Sequence, residues 1–189
     1  GLGDVYKRQV PGVISDLKIV KNSCNELNEL NLSRFDNLRS FEVESNALKS
    51  VKNLTMNGLN ELNKLRIGNG GLNGVENVIM GSDSLNSLSS FDMSRFVNMR
   101  RLLIGYGSLS RIESLRLNGL EMMEVGLGSL REVSIVEIGS NSLNSEDFDT
   151  LDLSQFQNLK RFEVGSSSLR SVGNLTMNGL NGLVELSIG

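Results

Sequence analysis

The chain has 189 residues, 19 Lys and Arg against 22 Asp and Glu, a formal charge of −3, no His, no Trp and one Cys. That small balance, with basic residues scattered along the chain, gives no reason to expect a nucleic-acid partner. His-based catalysis, His-ligated metal sites and an intramolecular disulfide are excluded by composition, and no apolar run is long enough for a membrane span.

Gly1 to Gln9 stand apart from everything that follows. This peptide resembles a translated sequencing adaptor, so residues 1–9 are expected to be non-native and are set aside for fold reasoning. From residue 10 a single organisation is expected to run to residue 189.

Its unit is the frame L-x-x-L-x-L-x-x-N-x-L. The first copy is Ile14-x-x-Leu17-x-Ile19-x-x-Asn22-x-Cys24, and a cleaner one is Leu38-x-x-Phe41-x-Val43-x-x-Asn46-x-Leu48. Further copies begin at Leu62, Val75, Met99, Leu120, Val133 and Leu159, with Asn, Gly, Asp or Ser in the Asn slot, and a copy at Leu183 is cut short by the chain end. Alternation in the middle of the frame predicts a short strand, with Phe41 and Val43 facing inward and Glu42 outward. The slot after it suits a bend, because Gly takes positive φ and Asn can bond neighbouring backbone. Cys24 stands where other copies carry Leu, which predicts a small buried apolar group.

A second frame, L-x-x-L-x-[LM]-x-x-[FL]-x-x-L, alternates with the first and begins at Leu27, Val51, Leu88, Ile112, Phe148 and Val172. The two together make a coil of about 24 residues, within the range of leucine-rich repeats. Half-coils this short leave no room for a full helix, and i, i+3, i+5 is not a helical period. Two strands per coil are therefore expected, with Leu54, Leu65, Phe162 and Leu175 in the core. A block of about sixty residues also repeats, with Ser33-Arg34-Phe35, Ser94-Arg95-Phe96 and Ser154-Gln155-Phe156 in equivalent places. Sixty residues are two and a half coils, so main-frame strands are expected to change faces in the middle block and change back later. An antiparallel meander is the rival, since strands at this spacing also occur in sandwiches. The pairs Asn57-Gly58, Asn118-Gly119 and Asn178-Gly179 are its best hairpin signals.

These frames resemble the leucine-rich repeat, and the two-strand coil is similar to its BspA-like class. The resemblance implies a mainly β solenoid of right-handed parallel coils with little helix. It also implies binding of a protein or cell-surface macromolecule, with a weak preference for a surface or extracellular setting. Two departures are the missing Pro after the strand and Leu where Phe is common.

No catalytic residue, metal ligand or cofactor is expected. The acid pairs Glu26 with Glu29 and Asp147 with Asp149 have no His beside them, and the Gly-rich bends lack a phosphate-loop Lys and a following helix. Asn31, Asn53 and Asn174 head tripeptides that fit the N-glycosylation acceptor. The candidate binding residues are the outward main-frame positions Glu42, Arg66, Leu103, Glu124, Glu137 and Glu163, with Tyr106 as an aromatic anchor between two glycines. The alternatives are a structural spacer, and a recognition arm for an enzymatic domain elsewhere. An internal piece of a longer solenoid is expected, whose open ends would favour end-to-end self-association.

Overall fold

The structure, a computed structural model, describes residues 13–189; the adaptor-like residues 1–9 lie outside that range. The chain is a β-solenoid of stacked coils, and every strand pairing in it is parallel. A hairpin meander is thereby ruled out. The strands are β1 (Asp16–Ile19), β2 (Glu29–Asn31), β3 (Ser40–Val43), β4 (Asn53–Met56), β5 (Lys64–Ile67), β6 (Asn77–Met80) and β7 (Arg101–Ile104). There follow β8 (Ser114–Leu117), β9 (Met122–Val125), β10 (Ile135–Ile138), β11 (Thr150–Asp152), β12 (Arg161–Val164), β13 (Asn174–Thr176) and β14 (Glu185–Ile188). Helix is almost absent, and Met93–Arg95 form a short 3-10 turn.

Successive half-coils alternate between two faces. One face carries β1-β3-β5 and, further along, β8-β10-β12-β14; the other carries β2-β4-β6-β7-β9 and then β11-β13. The expected change of faces is present. Main-frame strands β6, β7 and β9 continue the sheet begun by β2 and β4, while second-frame strand β8 pairs with main-frame β10. The cause is two consecutive main frames at Leu62 and Val75, each supplying half a coil. Inward residues stack in columns such as Leu17, Phe41, Leu65 and Leu30, Leu54, Val78, Leu102, Met123. Each fully buried Leu or Phe contributes about 1.5–3 kcal/mol relative to exposure.

Leu54 and Phe162 are buried as expected, but Leu65 and Leu175 are only half-buried. Leu65 lies where its sheet stops. The Leu88 copy of the second frame sends Phe91 and Met93 inward yet forms no strand, its chain turning instead through Met93–Arg95. Asp92 caps that turn by accepting from the Ser94 N–H at 3.1 Å. From Leu65 to Phe91 there are 26 positions instead of the usual 24, because two bend-type half-coils follow each other. A second break parts β9 from β11, where Met123 and Leu151 are 28 positions apart.

The bends are tighter than the residue types suggested. Both the Asn slot and the Leu two positions later have positive φ: Asn46 at 58° with Leu48 at 56°, Asn141 at 57° with Leu143 at 55°, and likewise in the other copies. Asn tolerates this region, whereas Leu there costs roughly 1–2 kcal/mol. Full burial of Leu48, Leu72, Leu85, Leu109, Leu130 and Leu143 offsets that cost. Cys24 shares the conformation, with φ 55°, but sits in the first described coil and is half-buried against the core.

Between those two residues lies a slot filled by Ser84, Ser108, Ser129, Ser142 and Ser168, all buried. Each of three hydroxyls bridges the preceding coil. Ser108 Oγ accepts from Ser84 N–H at 3.0 Å and donates to the Gly81 carbonyl at 2.6 Å. Ser129 does the same for Ser108 and Gly105, and Ser168 for Ser142 and Gly139. A hydroxyl suits this place because it donates and accepts at once. In the earlier coils Ala47 and Gly71 occupy the slot, and there the N–H bonds locally, Ala47 to Glu44 at 3.3 Å and Gly71 to Gly68 at 2.9 Å.

Candidate interaction surface

Alternation fixes which side chains leave the core, and the half-coil inserted after β5 decides which face each one reaches. Lys18, Glu42 and Arg66 lie in register on one face, followed beyond the break by Arg116, Glu137, Glu163 and Ser187. Asn31, Thr55, Ile79, Leu103 and Glu124 form the corresponding row on the opposite face. The candidate residues therefore do not make one row. Glu42, Arg66, Glu137 and Glu163 share a face, while Leu103 and Glu124 lie on the other, and Tyr106 stands at the bend that follows β7.

The two faces differ chemically. On the first, Arg161 is the centre of a network, with Glu137 at 3.8 Å, Glu163 at 2.5 Å and Glu185 at 3.4 Å, and Arg116 adds a 2.8 Å bond to Glu137. Its hydrogen bond to Glu163 raises the Arg161 guanidinium above its ordinary range. Lys18 bonds Glu44 at 2.7 Å, which raises the lysine and lowers the carboxyl. These are exposed pairs, so each is worth little in stability. They do neutralise that end of the face. Arg66 makes no ion pair among the described residues.

On the second face the outward side chains are partly aliphatic. Ile79 and Leu103 are directly opposed in the ladder, and Ile79 is 37% exposed. Tyr106 and Leu127 occupy equivalent bend positions in adjacent coils, each between glycines, and are 63% and 71% exposed. The Gly107 N–H donates to the Leu127 carbonyl at 3.1 Å, tying the two bends together. Gly105 and Gly126 permit this stacking: an added Cβ would lie 2.5 Å from backbone of the preceding coil in each case. Arg101 pairs with Glu124 at 3.3 Å along the same sheet.

Beside this patch lies the break between β9 and β11, an open groove of about 450 Å3 lined by Met123, Val125, Leu127, Phe148, Leu151, Asp152 and Gln155. A groove of about 520 Å3 marks the equivalent break on the first face, beside Leu65, Arg66, Ile67, Phe91, Asp92 and Arg95. Both were hidden in sequence, although the sixty-residue block held the signal: Phe91 and Asp92 match Leu151 and Asp152. Leu127 was likewise missed because it fills a bend slot that is usually polar.

Among the described residues, no group of three or more His, Cys, Asp or Glu is placed to hold a metal ion, and no helix is long and apolar enough to cross a membrane. Compared with known proteins, the chain matches no family model, no curated protein and no solved structure.

Proposed function

We propose that this chain is a leucine-rich-repeat solenoid, of the BspA-like kind, that binds another protein and carries no catalytic activity. The observation behind this reading is the set of Ile79 and Leu103 on one sheet face with Tyr106 and Leu127 on the bends that follow its strands, all on neighbouring coils. Stacked parallel strands lose little freedom on docking, so exposed aliphatic and aromatic groups on them act as pre-placed anchors. Tyr106 supplies an amphipathic contact with few torsions to freeze. Adhesion at a cell surface is the setting that the family resemblance favours.

The opposite face favours the spacer reading, since much of its charge is paired within the chain. Titration of a recovered partner separates the two. A Tyr106→Ala and Leu127→Ala double variant is expected to bind at least tenfold more weakly, in the range of interface hot spots. A Glu42→Ala, Arg66→Ala, Glu163→Ala variant tests the charged face. Polar caps on both ends remove self-association from the measurement. Unchanged affinity in both variants would leave the spacer reading ahead.

A further inference from the structure

The break between β9 and β11 exposes two facing strand edges. Met122 and Gly126 donate to Arg100 and Ile104 on the β7 side, so in β9 the alternate residues Met123 and Val125 turn their N–H and C=O groups toward the break. Across it, Asp149 accepts from Gly173 and Asn174, and the Leu153 N–H donates to Thr176, on the β13 side. Thr150 and Asp152 therefore turn their backbone groups back toward β9. Among the described residues, the one hydrogen bond from the far side to these four is long, Gln155 Nε2 to the Val125 carbonyl at 3.4 Å. The oxygen of that amide, Oε1, is buried without a partner. Two open edges on either side of an apolar groove form a template for strand addition.

The groove also specifies the strand. Its floor is Met123, Val125, Phe148 and Leu151, so inward side chains of an added strand must be apolar. The outward positions on either side are Glu124 and Asp152. Asp152 is held below the ordinary carboxyl range by its bonds from the Ser154 hydroxyl and N–H, and so stays charged. Asp147 and Asp149 stand nearby and make no ion pair among the described residues. A side chain placed between two carboxylates at cross-strand distance is favoured if it is Arg or Lys. The other break is a poorer template: residues 88–92 form no strand, and its rim mixes Lys21, Arg66 and Arg95 with its acids.

We propose that the β9–β11 break receives an extended peptide segment of a protein partner, of the form apolar-basic-apolar, as an added parallel strand. The inference rests on the protein-binding reading and names the partner's chemistry. The segment completes one sheet from β2 to β13. Its basic residue donates its N–H to the Met123 carbonyl, as the Glu42 position does toward β1, and the N–H groups of Met123, Val125 and Asp152 gain acceptors. The solenoid itself contains strands of this type, such as Leu115-Arg116-Leu117, whose Arg116 meets Glu137 at 2.8 Å.

The test uses the full chain and the synthetic peptide acetyl-Glu-Ser-Leu-Arg-Leu-Asn-amide, followed by binding titration and amide hydrogen exchange at low salt. Binding is expected to slow exchange at Met123, Val125 and Asp152. Replacing Arg by Glu in the peptide should weaken binding at least tenfold, and N-methylation of the Arg amide should abolish it. Gln155→Ala, which frees the Val125 carbonyl, should tighten it several-fold. Absence of binding, or equal affinity for the N-methylated peptide, overturns the proposal. Slowed exchange confined to β6 and β7 also overturns it, while leaving the protein-binding reading of the patch standing. Loss of that reading would show separately, as unchanged partner affinity in the Tyr106 and Leu127 variant.

Discussion

Ser108→Ala tests the buried hydroxyl ladder. Removing Oγ takes the acceptor from the Ser84 N–H and the donor from the Gly81 carbonyl, and Ser84 is itself buried. Two orphaned backbone groups would cost about 1–3 kcal/mol each if nothing moved. The chain shows how they can relax. At Ala47 the N–H reaches Glu44 three residues back, and Ser84 and Gly81 are the same three residues apart. A small shift of that bend satisfies both groups at once, so the expected cost is about 1 kcal/mol, that of a net hydrogen bond. Urea unfolding measures the cost, and amide exchange at Ser84 reads the relaxation directly. A loss above about 4 kcal/mol, or fast exchange at Ser84, would refute the compensating bond. No loss at all would refute the ladder's contribution.

Leu54→Ala should cost about 2–5 kcal/mol, whereas Leu65→Ala, half-exposed at a sheet break, should cost less than half as much by the same assay. Because repeats contact only their neighbours, exchange near Leu54 should accelerate before exchange near Phe162. Acid should lower the melting temperature through Glu44, Glu76 and Asp152. Their folded carboxyls lie below the ordinary range, so their contribution is full above about pH 5 and fades as pH falls through the lowered values. Glu44→Gln should flatten that slope. Arg161→Ala should change stability only slightly, with the difference vanishing in high salt.

Strand positions were readable from residue order because side-chain alternation is a local property. The frame at Leu38 placed Phe41 and Val43 inward, and they are buried in β3. The coil length and the change of faces were readable too, since covalent spacing limits how far a chain can travel before it must turn. Local spacing could not say whether a strand would find its neighbour. Leu65 and Phe91 obey their frames equally well, yet two extra residues between them leave β5 unpaired on that side. Nor could it sort the outward residues. Glu42 and Leu103 hold the same place in the frame and lie on opposite faces, because a half-coil between them reverses the assignment. Serine in the bend slot looked like turn chemistry, but its hydroxyl is used by a coil more than twenty residues earlier. Hydrogen-bond partners across coils, sheet breaks and shared faces are set by stacking in space, and stacking brings together residues that the chain keeps apart.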